Sequence, residues 1–82
     1  MNLKLYLIVK CTNEGVDSAQ AFTNEKVAKE FFKDEVDSEI AIATDGGYFN
    51  YHISRKNHVT LYFREGGWME IELIEDEIFV ED

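Results

Sequence analysis

The stretch GGWMEIELIEDEIFVED, from Gly66 to Asp82, combines strong acidity with a regular apolar pattern. Seven of its last thirteen residues are acidic, and no Lys or Arg follows Arg64. Apolar and polar positions alternate through its first half, with Met69, Ile71 and Leu73 on one side and Trp68, Glu70 and Glu72 on the other. This period of two predicts a β-strand with its odd face in a hydrophobic core, followed by a turn at EDE and a short closing strand, IFV. The negative charge is therefore expected to be held in a fixed geometry on a strand, not in a disordered tail.

The same alternation extends from this stretch back to Glu39. Three segments, EIAIAT, YFNYHIS and HVTLYFR, are separated by DGG and RKN and followed by EGG, and we interpret each as a strand bounded by turns. The odd positions are expected to face the core: Phe49, Tyr51, Ile53, Val59, Leu61 and Phe63. The even positions are expected to face outward: Tyr48, Asn50, His52, Ser54, His58, Thr60, Tyr62 and Arg64.

The N-terminal segment LKLYLIVKC also alternates and predicts a strand. Its odd positions are expected in the core: Leu3, Leu5, Leu7, Val9 and Cys11. TNEG then supplies a turn, and VDSAQAF is interpreted as a short return strand.

A helix is predicted between these two groups of strands, in TNEKVAKEFFKDEVDSE, residues 23–39. Thr23 or Asn24 can cap its N-terminus, and apolar residues recur at the spacing of one helical face: Val27, Ala28, Phe31, Phe32 and Val36. Four acids crowd the expected C-terminal end: Asp34, Glu35, Asp37 and Glu39. The helix dipole favours cations there by about 0.3–1 kcal/mol each. Either these acids are solvated and the helix tolerates this cost, or the acids contact a partner.

Taken together, these elements predict one α+β domain over residues 1–82. The expected order is β-β-α-β-β-β-β, an antiparallel meander of about five to six strands with one α-helix packed on one face. A chain of this length buries roughly 60–65% of its unfolded surface, which is enough to fold alone with a modest margin.

The charge distribution favours a basic partner. The net charge is −9, with 8 basic and 17 acidic residues. Residues 1–33 hold five basic and four acidic residues, a net of +1, whereas residues 34–82 hold three and thirteen, a net of −10. A surface this acidic repels phosphate and acidic membranes, so neither nucleic acid nor a membrane is an expected direct partner.

Cofactor, metal and catalytic signatures are not found in the sequence. A single cysteine, Cys11, excludes an internal disulfide and favours a reducing compartment such as the cytoplasm. One Cys and two His do not make the usual set of four zinc ligands. No serine lies in a glycine elbow, and no carboxylate lies in an apolar run that would raise its pKa. We therefore expect no cofactor, no metal and no enzyme activity.

The even face of the later strands is the most informative surface, because one helix can cover only one side of a sheet. It would carry the aromatic residues Tyr48, Tyr62 and Trp68 beside Glu70 and Glu72, which lie about 6.6 Å apart along a strand. The acids Glu75, Asp76 and Glu77 would extend this row. Exposed aromatic residues framed by polar groups are typical of binding surfaces. They can equally shield the sheet or meet across a homodimer, and charges on a strand can simply protect an edge.

In general character the chain resembles the small acidic proteins that phages use against host defences, such as anti-CRISPR proteins and DNA-mimic inhibitors. The features that carry the resemblance are the short length, the absence of Pro, the single Cys, the charge of −9, the helix of residues 23–39 and the acidic strands. It is a resemblance of character and not of a motif, so it assigns no functional residue. It implies a non-catalytic inhibitor that occupies the basic nucleic-acid-binding surface of its target.

The sequence thus predicts a binding protein that docks an acidic, aromatic-bearing surface on a basic partner, and the resemblance implies that this partner is a nucleic-acid-binding enzyme of a host defence system. The expected partner-binding residues are Trp68, Glu70, Glu72, Glu75, Asp76, Glu77, Tyr48, Tyr62, Asp34, Glu35, Asp37 and Glu39. The alternative is a self-associating structural or accessory protein that uses the uncovered sheet face or an edge strand as a homo-oligomer interface.

Overall fold

The protein folds as one antiparallel sheet with a single helix across one side. A computed structural model describes residues 1–81, so Asp82 lies outside the described residues. The elements are β1 (Asn2–Thr12), β2 (Gly15–Phe22), α1 (Glu25–Asp45), β3 (Phe49–Arg55), β4 (His58–Phe63) and β5 (Trp68–Phe79). The strand order is β2-β1-β5-β4-β3, which places the first and last strands side by side at the centre. The predicted α+β class is confirmed, with five strands in the element order β-β-α-β-β-β; the predicted further strand is absent from the described residues, and the sheet is not a meander, because β1 pairs with β5.

The helix is longer than the sequence pattern predicted. It begins after Asn24, whose side chain accepts a hydrogen bond from the Val27 backbone N–H at 3.0 Å, and it continues to Asp45. The prediction of a strand at EIAIAT was therefore wrong, because Ile40 and Ala43 continue the apolar stripe of the helix. Gly47 adopts φ 74°, so the DGG segment ends this helix and does not form a hairpin turn.

The C-terminal segment also forms fewer elements than predicted. EDE is not a turn: β5 runs without interruption for 12 residues from Trp68 to Phe79. Its outer half pairs with β1 in a continuous register from Glu75 opposite Tyr6 to Phe79 opposite Asn2. Backbone pairing with β1 thus keeps three successive acids extended.

The face of β1 was assigned incorrectly. Tyr6 and Ile8 are the buried residues of this strand, and they face the helix; the odd-numbered leucines and Val9 lie on the other side, half-buried. The reason is that β1 is apolar on both faces, so its pattern does not identify the helix side. Pairing with β5 decides it, since Ile8 lies opposite the buried Leu73.

A β-bulge reverses the predicted faces of β3. The register between β3 and β4 shifts between Phe49 and Tyr51, so Tyr51 lies opposite Tyr62 and not opposite a core residue. Tyr51 and Ile53 therefore face away from the helix, with exposures of 51% and 41%. Their predicted place in the core was wrong.

The core lies between α1 and the central strands. Two alanines, Ala28 and Ala43, are fully buried on the helix, and their small side chains allow the helix backbone to approach the sheet closely. The core cluster consists of Tyr6, Ile8, Ala28, Val36, Val59, Leu61, Ile71 and Leu73. No helix within residues 1–81 is long and apolar enough to cross a membrane.

An ion cluster joins the helix to β1 and β2. The Lys10 ammonium lies 3.1 Å from Glu35 Oε2, 3.1 Å from Glu39 Oε1 and 3.8 Å from Asp17 Oδ2, and its side chain is only 13% exposed. Burial lowers the pKa of Lys10, but the hydrogen bonds to Glu39 and Glu35 outweigh it and leave the pKa above 10.5. The charged form is therefore favoured by folding, a contribution that is lost as pH rises through the folded-state pKa.

The Tyr6 hydroxyl gives the fold a second alkaline sensitivity. It donates a hydrogen bond to Glu25 Oε2 at 3.1 Å, and burial together with this bond raises the pKa of Tyr6 above 10.0. Because the folded state holds the proton more tightly than the unfolded chain, this stability is present below about pH 10 and lost above it. As the pH rises from about 8 to about 11, we expect the free energy of unfolding to fall less for Tyr6→Phe than for wild type. Urea unfolding followed by the fluorescence of Trp68 measures this free energy at each pH. Equal losses in the two proteins would contradict this assignment.

Candidate protein-binding surface

The sheet face opposite α1 is covered by no element of residues 1–81, and we call it the open face. The strand registers place the following side chains on the two central strands of this face: Leu3, Leu5, Leu7, Val9 and Cys11 on β1, and Trp68, Glu70, Glu72, Ile74, Asp76 and Ile78 on β5. The outer strands add Val16, Ala19 and Ala21 from β2, His58, Thr60 and Tyr62 from β4, and Tyr51, Ile53 and Arg55 from β3.

An aromatic row crosses the open face at one end. Trp68 lies opposite Tyr62 on the neighbouring strand, and Tyr62 lies opposite Tyr51 on the next. The Tyr62 and Tyr51 rings are stacked, with centroids 4.7 Å apart and planes inclined by 20°. Three aromatic side chains thus occupy adjacent positions on three neighbouring strands, and aromatic residues supply large contact areas in binding surfaces.

Acidic side chains of β5 lie beside this row. Glu70, Glu72 and Asp76 share the open face, and His58 Nε2 lies 3.7 Å from Glu70 Oε1. The His58 Nε2 atom is buried and makes no hydrogen bond within the described residues. Arg55 is the one basic side chain that the described strands add to this face besides His58. The open face is therefore partly apolar and carries an acidic line along its central strand.

The structure separates the remaining β5 acids from this line. Glu75 and Glu77 point to the helix side of the sheet, because side chains alternate along a strand. Glu75 forms an exposed ion pair with Lys4 at 3.1 Å. The predicted row of five carboxylates, from Glu70 to Glu77, is thus divided between two faces.

The four helix acids predicted to bind a partner lie on the other side of the sheet from the open face. Glu35 and Glu39 hold Lys10, so they stabilise the fold internally. Asp34 and Asp37 are exposed and form no ion pair within residues 1–81. The helix continues to Asp45, so these acids lie in its middle and not at the negative pole of its dipole.

Tyr48 also lies away from the open face. It follows the helix and packs edge-on against Phe63, with ring centroids 5.4 Å apart, and Phe63 packs against the core on the helix side. Of the aromatic residues predicted for binding, the structure therefore brings Trp68 and Tyr62 together and separates Tyr48 from them.

Sequence reasoning missed Tyr51, Ile53 and the β1 side chains as parts of this surface. The bulge in β3 leaves no mark in the alternation of YFNYHIS, so Tyr51 and Ile53 read as core residues. The only available signal was the presence of apolar residues on both faces of LKLYLIVKC, where Tyr6 and Ile8 interrupt the expected polar side.

The charged groups of a cleft between the sheet and the helix are already engaged with one another. A cavity of about 240 Å³ lies between β1, β2 and α1, and it is lined by Lys10, Asp17 and Glu35 among others. These three residues belong to the ion cluster described above, so the cleft offers neither a free base nor a free acid. No group of three or more His, Cys, Asp or Glu side chains within residues 1–81 is arranged to hold a metal ion.

Comparisons of the chain with protein-family models, with curated proteins and with solved structures find no match.

Proposed function

We propose that this protein is a non-catalytic binding protein that docks its open face on a basic protein and thereby inhibits it. The observation that carries the proposal is the uncovered sheet face, which holds the aromatic row of Trp68, Tyr62 and Tyr51 next to the acids Glu70 and Glu72. Apolar contacts would supply most of the affinity, and the carboxylates would select a basic partner and speed the encounter.

The size of the open face suits a protein interface. Five strands are about 24 Å wide at the usual spacing, and eight residues of strand are about 27 Å long. The flat projection is therefore about 650 Å², close to the roughly 800 Å² that each partner buries in a standard interface. Five large apolar side chains of this face are more than a third exposed: Val16, Tyr51, Ile53, Ile74 and Ile78.

The partner class that we favour is a nucleic-acid-binding enzyme of a host defence system. Carboxylates of β5 would occupy positions on the enzyme that phosphates otherwise fill, and the net charge of −9 would steer the two proteins together. Support for this class comes from the charge, from the regular spacing of Glu70 and Glu72 along a strand, and from the resemblance in general character to phage anti-defence proteins. The lone cysteine fits a partner in the reducing cytoplasm.

Affinity capture tests this proposal. The protein is immobilised and incubated with a bacterial lysate at about 0.05 M and about 0.5 M NaCl, and the captured proteins are identified by mass spectrometry. We expect basic nucleic-acid-binding proteins at low salt and a loss of at least about tenfold at high salt, because screening removes the long-range attraction. Capture dominated by acidic or neutral proteins, unchanged by salt, would contradict the proposal.

Self-association through the same face is the second candidate. It is favoured by one observation: the half of the open face formed by β1 and β2 is apolar, with Leu5, Leu7 and Val9 half-buried and Ala19 and Ala21 exposed. A symmetric dimer would, however, bring the acidic lines of both copies into one interface, which costs free energy. Light scattering during size-exclusion chromatography separates the candidates, since a salt-stable dimer favours self-association and a monomer favours the basic partner.

A further inference from the structure

A two-stranded ribbon projects from the end of the sheet. Pairing of β4 with β5 ends where His58 lies opposite Glu72, and pairing of β2 with β1 ends where Phe22 lies opposite Tyr6. Beyond these points β1 and β5 pair only with each other, as far as Asn2 opposite Phe79. An isolated pair of strands is marginally stable in water, and Phe79 at this end is 70% exposed. The ribbon therefore has an outer edge on β5 that no strand of the described chain covers.

The hydrogen bonds show which backbone groups this edge offers. The Met1 and Val80 backbones exchange two hydrogen bonds, of 3.0 and 2.8 Å, across the ribbon. In an antiparallel pair such doubly bonded positions alternate with positions whose N–H and C=O groups point away. The outward positions of β5 are consequently Leu73, Glu75, Glu77 and Phe79.

Two further contacts agree with this assignment. The Leu73 N–H points away from β1 and donates to the Asn57 carbonyl at 2.8 Å. Asn57 lies in the turn before β4. The Glu77 N–H has only the adjacent Asp76 Oδ1 as its acceptor, at 2.9 Å and exposed to solvent. The outward groups of Glu75, Glu77 and Phe79 are therefore ready to pair with another strand.

We propose that the outer edge of β5, from Ile74 to Phe79, is a strand-addition site for an extended basic segment of a partner protein. The inference rests on the basic partner proposed above, but it uses a sheet edge and backbone hydrogen bonds, whereas the proposed function uses the open face. The two surfaces can therefore fail independently.

Charge identifies the occupant as basic. A strand added here lies beside three successive acids, Glu75, Asp76 and Glu77, so Lys or Arg on either of its faces meets a carboxylate. Ile74, Ile78 and Phe79 flank the acids and provide apolar contacts at both ends of the edge. Alternating basic and β-branched residues suit this pattern of neighbours.

The same acids exclude a second copy of the chain as the occupant. When two copies of this edge pair in antiparallel fashion, the twofold axis can pass through Glu75, Asp76 or Glu77. In each case at least one carboxylate lies directly opposite the same carboxylate of the second copy. Like charges directly opposite each other destabilise a strand pair. Natural edge strands carry charges that prevent aggregation in this way. The edge therefore disfavours pairing with a second copy of the chain and favours pairing with a basic strand.

The test uses a synthetic peptide of alternating Lys and Val that is long enough to span Ile74 to Phe79. Its control is the same peptide with every second backbone amide N-methylated, which keeps the charge and removes the hydrogen-bonding edge. Binding is followed by NMR of the ¹⁵N-labelled protein. We expect the plain peptide to slow hydrogen exchange at the Glu75, Glu77 and Phe79 amides, and the N-methylated peptide to bind at least about tenfold more weakly.

Protein variants provide the second arm. Glu77→Pro removes an outward N–H without breaking a bond to β1, so it is compatible with an edge and should weaken the plain peptide at least about tenfold. Glu77→Gln keeps the N–H, so it should weaken binding of the plain peptide only about threefold, through the lost charge. Glu72→Gln, on the open face, should leave the affinity unchanged within about twofold.

Two results would overturn strand addition. One is equal binding of the plain and N-methylated peptides, which would show attraction by charge alone; this comparison holds even if the proline variant does not fold. The other is the absence of any effect of the plain peptide on the three outward amides. Salt-dependent capture of a basic protein through the open face would survive either result, so failure of the edge and failure of the proposed function are distinguishable.

Discussion

Replacing Leu61 with Ala is expected to lower the free energy of unfolding by about 3 kcal/mol, within a usual range of 2–5 kcal/mol for such changes. Leu61 and Ile71 are the largest side chains with no solvent exposure, and they lie on adjacent strands beneath the helix. Truncation removes apolar contacts and leaves a cavity that close-packed neighbours fill only in part. A domain of this length has about 4–12 kcal/mol of stability in total, so the loss removes between about a quarter and three quarters of it.

Urea unfolding followed by the fluorescence of Trp68 measures this loss. The matched control is Ile53→Ala, a comparable truncation at a position on the open face that is 41% exposed. We expect the control to lose less than about 1 kcal/mol, because its side chain already contacts water. Similar losses at the two positions would mean that the open face is buried in solution, as it would be in a stable dimer.

Replacing Lys10 with Met is expected to cost about 1–3 kcal/mol, even though the new side chain is apolar and of similar length. The Lys10 ammonium is the shared partner of Glu35 and Glu39, at 3.1 Å from each. Its loss leaves two half-buried carboxylates one helical turn apart with no cation between them. Repulsion between like charges at this spacing adds to the cost of their desolvation.

The control for this variant is Lys29→Met. Lys29 also binds a carboxylate closely, at 2.7 Å from Glu25, but both side chains are half exposed and belong to the same helix. Exposed i,i+4 pairs contribute only about 0.3–0.5 kcal/mol, so the control should remain near wild-type stability. Equal costs for the two lysines would show that burial adds nothing to the Lys10 cluster.

Local periodicity was sufficient to predict the strand and helix content where the pattern had one interpretation. HVTLYFR and WMEIELI alternate clearly between apolar and polar positions in their central parts, and their buried residues Val59, Leu61, Ile71 and Leu73 were assigned to the correct side. EIAIAT fits both a strand period and the continued stripe of the helix. Complete burial of Ala43 on the helix depends on the tertiary structure, and no local rule contains that information.

Orientation and register were the properties that local patterns could not provide. LKLYLIVKC is apolar on both faces, so only its pairing with β5 shows that Tyr6 and Ile8 face the helix. A single bulged residue after Phe49 reverses the faces of the rest of β3, which moves Tyr51 and Ile53 from the core to the open face. The acids of EDE gave the appearance of a turn because the partner strand that holds them extended is about seventy residues away along the chain.

The predicted binding residues were brought together only where one strand carries them. Trp68, Glu70 and Glu72 share a face because they alternate along β5, and Tyr62 joins them by direct cross-strand pairing. Glu35 and Glu39 were expected to contact a partner, but they neutralise Lys10, a residue far from them in sequence. Ion pairs between distant segments depend on the fold, so charge counts along the chain do not reveal which acids are free.

The most direct test of the open face is a comparison of two variants with identical charge. One carries Lys in place of Glu70 and Glu72 on the open face, outside the β5 edge from Ile74 to Phe79; the other carries Lys in place of Asp34 and Asp37, two exposed acids of the helix. Each pair of reversals adds +4, so both variants change from −9 to −5. Affinity for the basic protein captured by wild type is then measured for both at the same salt concentration. We expect the open-face variant to lose at least about tenfold and the helix variant to remain within about threefold of wild type. Equal losses in the two variants, or a loss confined to the helix variant, would contradict a binding function for the open face.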